Sequence, residues 1–345
     1  MDDGVARTSG DGRSETMDGV GMGARLSRVL DDPAPNSRWT VGRRRMGLGL
    51  MLPISELGAF GDAPPRFADM LEIVRTAAAV GFDAVWVPDH LIVRHAHQGN
   101  VVRGVWECWT TLAGLAAATE GIHLASFVTC TGFRNPGLVA KMAESVDEIS
   151  GGRFILGLGA GWHEPEYRMF GFPFDHRVSR FEEALRIIHP LLREGVTDFQ
   201  GEYYAVHRVV NQPRGPRSAL GGPPILIGGT GPRMLRLTAR YADAWNDDFH
   251  RDPAIVAGHL AALDVACREV GRDSTTLVRT TGSNLALPGY LGRRPNPIGG
   301  EPEAMATAIR GFQDLGIDHY VCGLDPCTPA SLEWFAGVMR ILDAE

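Results

Sequence analysis

Lysine is nearly absent from this chain. Of the 34 lysine and arginine residues among 345, only Lys141 is a lysine. A nucleotide-binding P-loop needs a lysine after its last glycine, and Lys141 does not stand in such a motif, so a P-loop enzyme is excluded. The G-x-S-x-G turn of α/β-hydrolases is missing as well, which excludes that class of serine hydrolase.

Paired cysteines and long apolar runs are also missing. The five cysteines include no C-x-x-C pair, so we expect no disulfide framework, no zinc site and a reducing cytoplasm. No run of 18 apolar residues is present, so we expect no membrane-spanning helix. The net charge of -7, without a basic cluster interleaved with aromatics, argues against a nucleic-acid partner. The expected partner is a small molecule.

Residues 1–45 are rich in charge and glycine and have almost no apolar periodicity. Such a composition cannot offset the entropy of ordering, so we predict a disordered tail. Residues 43–45, three arginines ahead of the apolar run 46–53, superficially resemble a twin-arginine export signal. The apolar run is too short for an export signal and is needed as a strand of the barrel. A translation start at Met46 would explain the tail equally well. The remainder, 46–345, is predicted to be one domain.

Eight short apolar runs alternate with amphipathic segments after the tail. We predict strands at 47–53, 84–88, 123–129, 154–159, 224–228, 243–246, 277–287 and 319–324. The segments between them have helical spacing, as in Phe67, Met70 and Val74. Alternation of this kind is typical of parallel strands with crossover helices, and eight repeats predict a closed (β/α)8 TIM barrel. The long segments 195–223 and 287–300 are predicted to be loop insertions at the carboxyl-terminal rim.

Functional groups of such a barrel lie where strands end, and Asp89 and His90 follow the second predicted strand. A carboxylate beside an imidazole can accept, donate and orient protons near neutral pH. The alternative is that Asp89 caps the loop and His90 is merely solvated. Glu164 and Glu166 are interpreted as a charged loop rather than as a pair of catalytic acids.

Two glycine-rich segments also end predicted strands. In 157–161 a dinucleotide fingerprint fails, because Trp162 stands where its third glycine belongs, and a wall for a flat ring fits better. Residues 228–231 precede a predicted helix, so their free backbone N–H groups suit a cofactor phosphate, although an ordinary turn is the alternative.

No metal site is expected. His90, His95 and His97 lie close in sequence, but no carboxylate or cysteine beyond Asp89 completes a ligand set. Loop histidines of this kind are usually solvated.

Taken in order, several motifs resemble the luciferase-like monooxygenase superfamily, and most closely its coenzyme F420-dependent branch. The resemblance covers roughly residues 46–342. Its segments are 47–50, 82–90, 133–136, 151–154, 157–162, 199–204 and 227–231. Each is weak alone, and their common order is specific.

The resemblance implies a bacterial-luciferase-like barrel that binds coenzyme F420, with FMN as the alternative cofactor. Asp89 and His90 would be catalytic, beside the active face of the ring, and a non-proline cis peptide would lie within 127–129. The implied cofactor-binding residues are Asp89, Phe127, Val128, Thr129, Gly159, Ala160, Gly161, Gly228, Gly229 and Thr230. Trp162 and His163 would face the substrate, and homodimers are usual in the family.

Three functions follow as hypotheses. The first is an F420-dependent oxidoreductase that passes a hydride between the cofactor and a small organic substrate. The second is a reduced-flavin, FMN-dependent monooxygenase, and the third is a protein that binds the cofactor without turnover. Family members that oxidise sugar phosphates hold the substrate phosphate with lysines, which Lys141 on an outer helix cannot do.

Overall fold

The computed structural model describes residues 39, 44–56, 64–94, 99–290 and 294–344. Eight parallel strands form its centre: β1 Gly47–Met51, β2 Ala84–Val87, β3 His123–Ser126, β4 Phe154–Gly159, β5 Ile225–Gly228, β6 Ala244–Phe249, β7 Val278–Ala286 and β8 His319–Asp325. Each strand pairs with its neighbours in sequence, and β8 pairs with β1, which closes the ring. The predicted barrel is therefore confirmed, strand by strand.

One long helix follows each strand. They are α1 Phe67–Val80, α2 Cys108–Ala118, α3 Pro136–Ser150, α4 Arg177–Arg193, α5 Pro232–Tyr241, α6 Pro253–Glu269, α7 Pro302–Asp314 and α8 Pro329–Asp343. Five of them begin with proline at the first helical position, where the missing N–H costs nothing and the fixed φ favours the helix: α3, α5, α6, α7 and α8. A short helix, Glu164–Phe170, precedes α4.

Two glycines end helices and let the next strand begin at once. Gly81 has φ 104° after α1, and Gly316 has φ 83° shortly after α7. Both values lie in the left-handed region that glycine enters without a Cβ penalty. The sequence repeat at these two places therefore encodes the same helix-to-strand turn.

The apolar core has two layers. The larger layer lies between strands and helices, and a smaller one fills the barrel, including Trp86, Ile155 and Val321. Inside the barrel, Trp86 Nε1 donates to His319 Nε2 at 3.0 Å. A Cβ on Gly49 would come within 2.2 Å of the Trp86 ring, so glycine there makes room for this pair.

The third strand contains a bulge above its regular part. Ala125 pairs with Ile155, but Thr129 pairs with Leu158, so four steps on one strand match three on the other. The peptide bond Phe127–Val128 within the bulge is cis, as the resemblance implied.

The segment 195–223 differs from the predicted loop. It contains an antiparallel hairpin of Val196–Gln200 and Ala205–Val210, which begins where α4 ends. The Glu183 carboxylate on α4 accepts hydrogen bonds from the hairpin turn, including the N–H of Tyr203 at 2.8 Å. The hairpin therefore lies along α4. Of the two predicted insertions, 287–300 follows a strand and 195–223 follows a helix, so 195–223 was wrongly predicted to be a loop at the carboxyl-terminal rim.

Most of the predicted tail lies outside the described residues. Within it, however, the Trp39 ring packs 6.2 Å from Trp86, centroid to centroid. Arg44 binds the Asp343 carboxylate and donates to the Gly81 carbonyl at 2.7 Å. These two residues therefore contact the barrel ahead of Met46.

Candidate active site

A cavity of about 690 Å³ opens at the carboxyl ends of the strands, within the size range of small-molecule sites. Its walls are largely apolar. They combine the ends of β1 to β7 with the segments that follow, including Leu52, Ile54, Val93, Val105, Phe127 and Val128. This is the end of the barrel where functional groups of the fold occur.

Most of the site residues predicted from the sequence meet in this cavity. Those in its wall are Asp89, His90, Phe127, Val128, Gly159, Ala160, Gly161, Trp162, Gly228, Gly229 and Thr230. Thr129 and His163 do not line it. Both are buried, and the Nε2 atom of His163 accepts the backbone N–H of Arg94 at 3.2 Å. This bond ties His163 to the loop after β2, and the predicted substrate contact of His163 stays a prediction.

His90 is held by Glu166, whose interpretation as part of a charged loop was wrong, because Glu166 is buried in the short helix Glu164–Phe170. Its Nδ1 atom lies 2.9 Å from Oε1 of Glu166, and the other oxygen of Glu166 accepts the N–H of Leu91 at 2.9 Å. Glu166 is 2% exposed, whereas the His90 ring lines the cavity. The carboxylate therefore fixes the ring and leaves Nε2, the opposite nitrogen, without a partner among the described residues.

Asp89 has a different environment, although it is the preceding residue. Arg134 Nη1 and Nη2 donate to its two oxygens at 2.6 and 2.9 Å, and the N–H of Cys130 adds a third bond at 2.8 Å. Burial raises the pKa of Asp89, and Arg134 opposes that rise. Arg134 also binds Glu107, the N-cap of α2. Both oxygens of Asp89 are thus committed to an internal ion pair, which favours a positioning role.

The glycines of β4 serve packing as well as the cavity. A Cβ on Gly157 would lie 2.1 Å from the carbonyl oxygen of Ser126, and one on Gly159 would lie 2.6 Å from Val128. They make room for the bulge of the third strand. At Gly161, with φ 76°, a Cβ would overlap the hydroxyl of Tyr167. This segment therefore forms a close-packed wall rather than an open cradle.

The loop after β5 is the more open of the two glycine segments. Gly228 to Gly231 line the cavity, and Gly231 is the N-cap of α5. Thr230 and Gly231 are exposed, and no hydrogen bond from their N–H groups is found within the described chain. Free N–H groups at a helix start attract anions. The geometry suits a phosphate group.

Arg177 and Asp248 are among the charged residues of the cavity wall that carry no motif and were missed. Arg177, the first residue of α4, donates to the Gly161 carbonyl at 2.8 Å and lies over the Phe174 ring. Asp248 has φ 66°, and burial raises its pKa. Neither sequence position has a neighbour pattern that would identify it; only the folded chain brings these residues to the cavity.

The single thiol in the cavity wall among the described residues is that of Cys130. Burial raises its pKa to about 12, so it is protonated at neutral pH. Its sulfur lies 2.8 Å from the Tyr167 hydroxyl. A thiolate nucleophile at this position is therefore not supported.

His95 and His97, which were weighed as metal ligands with His90, lie outside the described residues. His90 itself is bound to Glu166 through Nδ1. Across the described helices, none is both long and apolar enough to span a membrane.

With this geometry established, comparison with known proteins identifies the family. Residues 46–288 match the model of the luciferase-like monooxygenases. The chain belongs to the luciferase-like monooxygenase family. As a family member it is an oxidoreductase by class.

Two kinds of curated relative of this luciferase-like protein are similar in sequence. A phthiodiolone/phenolphthiodiolone dimycocerosates ketoreductase of Mycobacterium tuberculosis is 32% identical over 258 residues, 70% of this chain. A pyrimidine monooxygenase of Stutzerimonas stutzeri is 31% identical over 253 residues, 68% of this chain. The matches span 65% and 66% of the relatives' own lengths.

Solved structures agree with the fold. An F420-dependent secondary alcohol dehydrogenase, in complex with an F420-acetone adduct, has a TM-score of 0.73 at 19% identity and covers 86% of this chain and 99% of its own. A riboflavin lyase with modified FMN has a TM-score of 0.72 at 15% identity and covers 87% and 91%. At these identities the likeness supports the luciferase-like barrel and does not decide between F420 and FMN as the cofactor.

Proposed function

We propose that this protein is an F420-dependent oxidoreductase that interconverts a secondary alcohol and a ketone of apolar character. The observation that carries the proposal is the His90 ring, which buried Glu166 holds at the cavity wall with Nε2 free. A positioned imidazole that exchanges one proton at neutral pH is the group that alcohol oxidation needs beside a hydride acceptor.

The cavity fits the cofactor. Its volume suits a flat ring and part of a tail, and the free N–H groups of Thr230 and Gly231 at the start of α5 fit the tail's phosphate. Arg177 lines the same cavity and supplies positive charge. When bound, the deazaflavin gives or takes a hydride at its central ring carbon.

The residues of this chain would then divide the remaining work. His90 Nε2 takes the hydroxyl proton when the alcohol is oxidised and returns it to the ketone oxygen in the reverse direction. Glu166 keeps the ring oriented, so the proton acceptor is placed before substrate arrives. Trp162, 60% exposed and edge-on to His90 at 5.7 Å, offers an apolar surface to the substrate at the mouth.

The printed names of the relatives are consistent with this substrate class. One curated relative is a ketoreductase and one structural neighbour is a secondary alcohol dehydrogenase. The apolar wall, with Leu52, Ile54 and Val105, favours a substrate with an aliphatic chain over a charged one.

A reduced-FMN monooxygenase is the second candidate, supported by the pyrimidine monooxygenase relative at 31% identity. The two candidates differ in their use of oxygen. An oxygen-inserting enzyme consumes O2 with every turnover, whereas alcohol oxidation proceeds without it.

The first experiment is a fluorescence titration of the purified protein with F420 and, separately, with FMN, followed by turnover with secondary alcohols of increasing chain length. We expect saturable F420 binding and anaerobic F420 reduction that improves with chain length. Binding of FMN alone, with O2-dependent turnover, would contradict the proposal and establish the second candidate. Binding of either cofactor without turnover over the panel would favour a non-catalytic binding protein.

A further inference from the structure

Strand β6 presents successive side chains to opposite sides of the barrel wall. Asn246 lines the cavity, whereas Asp247 points to the outer side, toward α6. His250 follows the strand, and His259 lies in the second turn of α6. None of these three residues was predicted to bind a ligand, because the spacing D-x-x-H-x8-H that Asp247, His250 and His259 form is not a known short motif.

Asp247 is buried and lacks the donors that a buried carboxylate needs. It is 0% exposed, and no hydrogen bond from the described residues reaches either oxygen. The Nδ1 atom of His259 lies 2.7 Å from Oδ1, but it too is buried and makes no hydrogen bond. A buried carboxylate this close to an imidazole nitrogen, without a hydrogen bond, needs a positive charge at this place, a metal ion or a proton, because an uncompensated buried charge is strongly unfavourable.

The second histidine completes a compact set of ligand atoms. His250 Nε2 lies 3.6 Å from Oδ1 of Asp247, and one ligand atom from each of the three residues lies within 4.8 Å of the others. Zinc–ligand bonds of about 2.0–2.2 Å at tetrahedral angles separate ligand atoms by about 3.4 Å. The observed separations of 2.7 and 3.6 Å lie on either side of that value.

The backbone around the set is fixed independently of any metal. The N–H of His250 donates to the Gly282 carbonyl at 2.8 Å, and Ser283 donates to the His250 carbonyl. The exposed side-chain fractions are 20% for His250 and 34% for His259, so an ion can enter and keep a water ligand. The site is therefore preformed and accessible.

We propose that Asp247, His250 and His259 bind one zinc ion on the outer face of the barrel. Two imidazoles and one carboxylate suit Zn²⁺, which takes nitrogen and oxygen ligands in tetrahedral geometry. Calcium and magnesium prefer sets of six or more oxygens and do not fit two histidines. The ion joins the end of β6 to α6.

The proposed ion lies behind the cavity wall. None of the three ligands lines the cavity, so the ion is structural and does not contact the substrate. Asp248 and Phe249, on the same strand end, do line it. Fixing Asp247 from behind therefore holds this part of the cavity wall in place.

A competing interpretation uses protons instead of a metal. Asp247 raises the pKa of His250, so one or two protonated histidines could balance the carboxylate. His250 Nε2 also lies 2.6 Å from the Asp247 carbonyl oxygen, a contact that a protonated ring can donate to. The two interpretations differ in whether the protein retains one metal ion.

The experiment uses the untagged full chain, so that no engineered histidines compete. After equilibration with a zinc buffer and dialysis, elemental analysis should give one zinc per chain, and Co²⁺ substitution should give the visible bands of a tetrahedral site. A chelator should lower Tm, and added zinc should restore it. The variants are Asp247→Asn and His259→Gln, and His207→Gln, on the outer hairpin near Asp198, is the matched control.

Each ligand variant should lower zinc affinity by more than the roughly 10–100-fold that loss of an outer-shell partner causes, while the control retains the ion. If Asp247→Asn fails to fold, His259→Gln decides, because that side chain is partly exposed. Wild-type protein that retains no more zinc than the ligand variants do, with a Tm indifferent to chelator, overturns the proposal in favour of the protonated pair. These readouts are independent of turnover, so they stand whether or not the proposed alcohol chemistry is correct.

Discussion

The two sides of the cavity are built differently. On the side formed by β2 to β4, titratable side chains are fixed by other side chains, as in His90 with Glu166 and Asp89 with Arg134. On the side formed by the loop after β5, Thr230 and Gly231 present backbone N–H groups without partners in the described chain. In the function that we propose, the first side moves a proton and the second binds an anion.

The first side is itself divided between neighbouring residues. Asp89 and His90 adjoin in sequence, yet the carboxylate is saturated by Arg134 and Cys130 while the imidazole faces the cavity. Adjacency therefore does not make them a catalytic pair. The partner that orients His90 is Glu166, 76 positions away.

The largest effect is expected for Asp89→Ala. The change leaves the Arg134 guanidinium buried without its main partner, and breaking a buried pair in this way costs about 3–5 kcal/mol of unfolding free energy. Denaturant unfolding followed by fluorescence measures it. Unchanged stability with abolished turnover would instead show that Asp89 takes part in the reaction, as His90 is proposed to do, and is not a positioning residue.

His90→Ala should act on turnover rather than on folding or cofactor binding. Loss of a positioned proton donor and acceptor lowers kcat by about 100–10,000-fold. The side chain is partly exposed and its removal leaves Glu166 with the Leu91 bond, so the fold should persist. Steady-state kinetics and a cofactor titration on the same preparation test this. A large rise in cofactor Kd at unchanged kcat would assign His90 to binding.

Glu166→Gln should have a smaller effect of the same kind. The glutamine amide has the same shape as the carboxylate but only one acceptor oxygen. It can therefore accept a hydrogen bond from His90 or from Leu91, but not from both. Losing about 1 kcal/mol of orientation energy lowers kcat about fivefold. Kinetics beside His90→Ala and the double variant give the check: if Glu166 acts only through His90, its substitution has no further effect once His90 is alanine.

Gly231→Ala tests the binding side with little risk to the fold. A Cβ at Gly231 meets no atom within 4 Å, whereas a phosphate seated on this loop would meet the methyl group. We expect cofactor Kd to rise about tenfold or less, equivalent to about 1.4 kcal/mol, with kcat unchanged. Gly258→Ala, also open and on α6, is the matched control. Equal Kd in both variants would place the phosphate elsewhere.

A buried carboxylate outside the cavity should affect stability without affecting turnover. Burial raises the pKa of Asp147 on α3 to about 7, opposed by Arg217. Because the folded pKa exceeds the unfolded one, the protonated acid favours folding, and stability falls as pH rises from about 4 through 7, by up to about 4 kcal/mol for a shift of this size. Tm measured at pH 5 and 8 should show this fall, and Asp147→Asn should remove it. If Asp147→Asn also changed the pH profile of kcat, titration of Asp147 would affect turnover, although this residue lies outside the cavity.

The fold was predictable because its periodicity is local. All eight strands were placed from short apolar runs, and the turns at Gly81 and Gly316 from a repeat. The outer hairpin was missed, since only Phe199 and Val206 of its side chains are buried and its pattern resembles a polar loop.

The site was predictable only where it follows a strand end. His90 and the β5 loop reach the cavity for that reason. Glu166 and Arg177 lie on helices that follow β4, and their roles depend on contacts between distant segments. The bond between His163 Nε2 and the Arg94 N–H likewise joins segments that are far apart in sequence.

The most direct test is a single turnover without oxygen. Wild-type protein and His90→Ala are each saturated with F420, mixed anaerobically with a long-chain secondary alcohol, and followed by the loss of F420 absorbance. The account predicts one equivalent reduced by wild type with ketone formed in equal amount, and a rate at least about 100-fold lower in the variant at equal cofactor occupancy. Equal rates in the two proteins, or no reduction until oxygen and reduced FMN are supplied, would contradict it.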